Sequence, residues 1–152
     1  MSSERADLQR RFIDRFSVAK FATADEATLA DGEARLSVRF PESYRAFMKS
    51  YGGAHTPDLL TLIVARQLNH PDLHKIEPLN EMIEATEVYW AGGMPQNIVS
   101  FGSDCMGNAF CFERITNPRD DAPVQFFDHE FVEVPEVAAS FDALLKSLRD
   151  AQ

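Results

Sequence analysis

Cysteine is scarce in this chain of 152 residues, and positive charge is scarce in its second half. Only two cysteines occur, Cys105 and Cys111. Two are too few for a disulfide framework and fit a reducing compartment, where thiols stay free. Residues 91–140 hold eight acidic residues against two basic ones, a net of −6 within a chain of net charge −9. Phosphate contacts need Lys and Arg, so direct nucleic-acid binding is not expected. The longest apolar run, residues 59–65, is far too short to cross a bilayer. The start, Met1-Ser2-Ser3-Glu4-Arg5, lacks the apolar stretch of an export signal. A cytoplasmic protein without membrane attachment is the expectation. No repeat, low-complexity tract or Gly/Ser linker divides the chain, so residues 1–152 read as one domain.

What the chain does have is core. Hydrophobic residues make up 45% and include twelve Phe, which argues against disorder. A chain of this size buries roughly 68–70% of its unfolded surface, enough for one core without staples. Aromatic rings dominate such cores through the area each one buries.

Spacing then predicts the elements. Leu8, Phe12 and Phe16 fall one turn apart and make residues 3–16 a helix, with Arg10, Arg11 and Arg15 facing solvent. Thr23-Ala24-Asp25-Glu26 has the form of a capping box, in which Thr23 and Glu26 satisfy each other's amides. It opens a second helix with a narrow face of Ala27, Ala30 and Ala34, weakened by Gly32. Pro41 in the first turn and Glu42 after it start a third helix. That helix carries an aromatic stripe of Phe40, Tyr44, Phe47, Met48 and Tyr51 and stops at Gly52. Residues 59–65 read as a strand buried on both faces. A helix capped by Asn80 carries Met82, Ile83, Thr86 and Tyr89 and ends before Gly92-Gly93. Strands are expected at 97–101, 108–115 and 124–128, with a short fourth at 131–134, separated by turn-rich loops. Ser140 caps a last helix with Phe141, Leu144, Leu145 and Leu148 on its apolar face. Helices, then strands, then a closing helix predict an α+β domain, its helices on one face of an antiparallel sheet.

Residues able to carry chemistry are few. His70 and His74 have the spacing of two metal ligands on a helix, but Pro71 lies between them and no third ligand follows. No metal or cofactor is expected. Cys105 and His129 could form a nucleophile and base, yet no thiol-enzyme signature surrounds them. The loop from Gly102 to Gly107 is no phosphate cradle, because a strand rather than a helix follows it. Phe126-Phe127-Asp128-His129-Glu130 is a hydrophobic strand ending in titratable residues.

Four stretches in order carry a resemblance. They are Arg39-Phe40-Pro41-Glu42-Ser43-Tyr44-Arg45-Ala46-Phe47; Tyr51-Gly52-Gly53; Ile98-Val99-Ser100-Phe101-Gly102-Ser103-Asp104 with Gly107-Asn108; and Val124-Gln125-Phe126-Phe127-Asp128-His129-Glu130 leading to Ser140-Phe141-Asp142-Ala143-Leu144-Leu145. Together they resemble the SUKH superfamily, which contains the fungal cell-wall assembly regulator and many bacterial immunity proteins. The resemblance covers residues 23–148, leaving 1–20 as a helical extension. Phe40 replaces the usual Leu, Ser50 precedes Tyr51-Gly52-Gly53 where Asn is usual within that motif, and Leu144 stands where a second Phe is common.

The resemblance implies a twisted antiparallel sheet flanked by helices and a role without catalysis. The implied role is an immunity protein that occludes a polymorphic toxin, often a nuclease or deaminase. An acidic surface suits a basic toxin partner. The alternatives are a regulatory scaffold for endogenous proteins and, remotely, a Cys/His-dependent enzyme or small-ligand binder. For a partner surface the acidic loops and strand ends are the candidates: Asp104, Asn108, Asp120, Asp121, Asp128, Glu130 and Glu133. Tyr89 and Trp90 join them because aromatic side chains anchor interfaces.

Overall fold

The computed structural model describes residues 2–131 and 133–151. Its first helix, α1 (Ser3–Phe16), matches the expected span, and the Ser2 hydroxyl accepts from the Arg5 amide at 3.2 Å. Phe12 and Phe16 are buried and Arg10, Arg11 and Arg15 exposed, as the spacing predicts.

Helix α2 (Glu26–Leu36) departs from its expected cap and face. Asp25, not Thr23, is the cap: its carboxylate accepts from the Thr28 amide at 2.8 Å. Glu26 turns instead to Arg45, at 2.5 Å, and to Lys49. Leu29, Gly32, Glu33 and Leu36 form the buried face, while Ala27, Ala30 and Ala34 face solvent. Gly32 has a packing reason: a Cβ there would sit 3.1 Å from the tip of Ile83. In α3 (Glu42–Tyr51) Pro41 stands just outside the first turn, and Gly52 ends the helix at φ 71°.

Residues 59–65 are not a strand. They form α4 (Asp58–Ala65), following a two-residue strand, β1 (Ala54–His55). Pro57 supplies a helical φ of −63°, and Asp58 in the first turn suits the dipole. Leu59 and Ile63 are buried while Leu60 and Val64 are exposed, a helical pattern that a short apolar run conceals. A second two-residue strand, β2 (Lys75–Ile76), precedes α5 (Leu79–Ala91), which opens after Pro78 rather than at Asn80.

The meander follows as β3 (Ile98–Ser103), β4 (Ala109–Glu113), β5 (Val124–Phe127) and β6 (Glu136–Ala138). The expected strand at 131–134 is absent among the described residues, Val132 lying outside them. Only an Asp128–Glu133 bridge forms there. The Asp128 carboxylate accepts from the amides of Glu130, at 3.0 Å, and Phe131, at 3.4 Å. That side chain bends the backbone into a turn and takes groups a ladder would need. Helix α6 (Phe141–Arg149) closes the chain, with Ser140 accepting from the Ala143 amide at 3.0 Å.

All six strands form one antiparallel sheet in chain order, β1 to β6. Helices cover both of its faces, where the sequence suggested one. Val99, Phe101, Phe110 and Phe112 join Tyr44, Phe47 and Phe141 in the main core. Phe101 and Phe112 stack at 4.3 Å, and Phe141 meets Tyr44 edge-on at 5.8 Å. The alternate residues Ile98, Ala109 and Cys111 pack with Met94, Phe127, Tyr89 and Trp90 in a smaller cluster beneath α5. A bulge between Ser100 and Gly102 helps seat that helix. There the Thr86 hydroxyl accepts from the Ser100 amide at 3.0 Å and donates to its carbonyl at 3.2 Å.

Candidate functional site

Antiparallel order brings the β3–β4 connection and the end of β5 together, since Ser103 pairs with Ala109 and Ala109 with Phe127. Asp104, only 9% exposed, folds the connection. One of its oxygens accepts from the Met106 and Asn108 amides, each at 2.8 Å, and the other from Asn108 Nδ2 at 3.0 Å. Gly107 supplies the turn's φ of 84°. The Asn108 side-chain oxygen then accepts from the His129 amide at 3.1 Å and faces His129 Nδ1 at 2.6 Å. Helix α5 is tied in by Tyr89, whose hydroxyl donates to the Gly107 carbonyl at 2.7 Å and whose ring meets Phe127 edge-on at 6.2 Å. Burial, aided by the charge of Glu77, raises the Tyr89 hydroxyl to about 12, so it stays a protonated donor.

These contacts leave a depression of about 300 Å³ lined by Val88, Tyr89, Gly92, Gly93, Phe127 and His129. Val88 is 67% exposed at its wall, Met106 beside Gly107 is 70% exposed, and Phe131 in the turn after His129 is 69% exposed. Glu130 and Glu133 are exposed in the same connection.

The nine residues expected to face a partner thus separate. Tyr89, Asp104, Asn108, Asp128, Glu130 and Glu133 gather at this end of the sheet, Asp104 and Asn108 as framework. Trp90 is half-buried, its indole donating to the Ile98 carbonyl at 2.9 Å beneath the Arg114 guanidinium at 4.4 Å. Asp120 and Asp121 lie elsewhere. Asp121 accepts from Ser43 Oγ at 2.7 Å and from the Phe141 amide at 2.9 Å, joining α3 to α6. Asp120 pairs with Arg5 at 2.8 Å, and Arg5 also reaches Asp142 at 2.7 Å, clamping α1 down. Val88, Met106 and Phe131 escaped the sequence reading because exposed apolar residues give no periodic signal of their own.

The nucleophile and base considered from sequence engage different partners. Cys105 Sγ donates to Asp72 at 3.5 Å, and burial together with that carboxylate pushes the thiol upward. His129 faces Asn108 instead. His74 meets His55 rather than His70, Nε2 to Nε2 at 3.3 Å, a pair hidden because neither two-residue strand was legible. No group of three metal-ligating side chains occurs among the described residues. No helix among them is long and apolar enough to cross a membrane.

No curated protein matches the chain. A family profile, that of the SMI1 / KNR4 family (SUKH-1), matches residues 23–147. That span begins just before α2, takes in the whole sheet and ends within α6. The sheet with helices on both faces, the αL stop at Gly52 and the Asp104 turn accord with the resemblance carried by the sequence motifs, and the chain belongs to the SMI1 / KNR4 family (SUKH-1).

Proposed function

We propose that this SUKH-1 domain is a protein-binding module without catalytic chemistry of its own. It acts in the cytoplasm as an immunity protein, occluding a basic toxin domain of the nuclease or deaminase type. Family membership over residues 23–147 carries the reading, through the immunity proteins of the wider superfamily that the chain resembles. The net of −6 over residues 91–140 supports a basic partner, because opposite charge speeds encounter and excludes wrong partners. The Cys105 thiol donates to Asp72 while His129 faces Asn108, so the two do not meet as a nucleophile and its base.

The test is the purified full chain titrated with each toxin domain encoded beside its gene, with co-expression for protection. Tight binding is expected, weakening on the order of tenfold between low and physiological salt as charges are screened. Failure to bind or protect against every such domain overturns immunity and leaves regulation of endogenous partners as the outcome.

A further inference from the structure

Six large hydrophobic side chains stand exposed among the described residues, and Val88, Met106 and Phe131 belong to one small region. Val88 lines the 300 Å³ depression between the end of α5, the β3–β4 connection and the turn after β5; Met106 adjoins its lining residue Gly107, and Phe131 follows its lining residue His129 by two positions. Exposed apolar side chains concentrated in one place mark contact surfaces, whereas single ones are ordinary.

The segments that build this region carry acidic charge only, although Arg35 pairs with Glu87 of α5 and the Arg114 guanidinium lies over the Trp90 ring. No Lys or Arg occurs in residues 76–113, which build α5, β3 and β4, or in residues 120–145, which build β5 and the turn after it. Glu84, Glu130 and Glu133 are exposed there. The C-terminal end of α5 adds to the field. Gly92 and Gly93 line the depression, and no basic residue sits in the helix's last turn to offset its partial negative charge. Gly93, at φ 110°, has nothing within 4 Å of where a Cβ would project, so the approach is open.

Resting on the protein-binding reading above, we infer that this depression receives one apolar side chain of the partner, flanked by Lys or Arg. The apolar group lies against Val88, Tyr89 and Phe127, and the cations meet Glu130, Glu133 and the α5 terminus. A second copy of this chain is a poor occupant, because it would set the same carboxylates against one another.

The probe is a short synthetic peptide with Leu at its centre and Lys on either side, titrated into the full chain and followed by amide NMR. Two controls replace its Lys by Glu or its Leu by Ser. The Lys–Leu peptide is expected to shift amides of Val88, Gly93, Gly107 and His129, with an affinity that falls as salt rises. Both controls bind at least several-fold more weakly. Phe131→Ser with Met106→Ser, and separately Glu130→Lys with Glu133→Lys, weaken the response on the order of tenfold, the loss a contact hot spot gives. All four positions are exposed, so the variants fold normally, checked by circular dichroism.

An equal response to either control, shifts elsewhere on the molecule, or unaltered binding by both double variants overturns the inference. The same variants separate it from the function proposed above. If they neutralise a toxin domain as well as the parent chain does, this surface is wrong and the immunity reading stands. If the Lys–Leu peptide binds here while no toxin domain does, the surface stands and the immunity reading falls.

Discussion

Gly52 has φ 71°, and a Cβ at that position would meet the Ala22 carbonyl oxygen at 2.0 Å. Gly52→Ala therefore combines backbone strain with a collision against fixed main chain. It is expected to cost about 2 kcal/mol or more, read as a lowered urea midpoint. The glycine was recognisable as a helix stop from its place after the aromatic stripe; its contact with Ala22 was not. Glu26 differs in kind. The hydrogen bond from Arg45, then that from Lys49, lowers its carboxyl from an ordinary value near 4.5 to about 2. Between those values the folded state binds fewer protons than the unfolded one, so this contribution is present above about 4.5 and is lost as pH falls toward 2. Glu26→Gln is expected to flatten the fall in stability between pH 5 and pH 2, measured by urea midpoints across that window. An unchanged profile would mean that the pairing contributes nothing. Asp121 gives a third expectation. Because it accepts from Ser43 and Phe141, Asp121→Ala should cost about 1–3 kcal/mol by leaving those donors unpaired, while partner affinity stays unchanged in calorimetry.

At the scale of elements, α4 separates what a sequence pattern specifies from what it leaves ambiguous. Two substitutions in it test helix against strand. Leu59 is fully buried, and Leu59→Ala is expected to cost about 2–5 kcal/mol. Val64 is 68% exposed, and Val64→Glu should fall within about 0.5 kcal/mol of the parent. In a strand buried on both faces both changes would be severe, so thermal denaturation of the Val64→Glu variant decides between the two. The run at 59–65 carries no polar residue to mark a face apart from Thr61, and its helical form follows from Pro57 and from the core beneath Leu59 and Ile63. Helices α1, α3 and α6 were legible because their apolar faces recur at helical spacing and their ends carry local punctuation. Strands β1 and β2 were not, since two residues hold no periodicity and each exists only through pairing with a distant neighbour.

Across the whole molecule, the matched family span omits α1, yet that helix is part of the core. Phe12 is fully buried, Gln9 Nε2 donates to the Ser43 carbonyl at 2.8 Å, and Arg5 bridges Asp120 and Asp142. Phe12→Ala is expected to cost about 3–5 kcal/mol. Deleting residues 3–16 should uncover apolar surface on α3 and α6, seen as a large rise in binding of a hydrophobic dye. A deletion that leaves dye binding and denaturation unchanged would make α1 an accessory. By itself the sequence determined the fold class, the run of main helices, the meander and the excess of negative charge, because these depend on spacing, turn chemistry and composition along the chain. Tertiary structure decided which carboxylates remain free for a partner. Asp104 turns inward, accepting from Asn108 to hold the β3–β4 connection, Asp120 and Asp121 clamp α1 and α6, and Glu130 and Glu133 stay in solvent beside Phe131. The physical reason is that a carboxylate's availability is set by the donors that reach it, and here many of those donors come from segments far away in sequence.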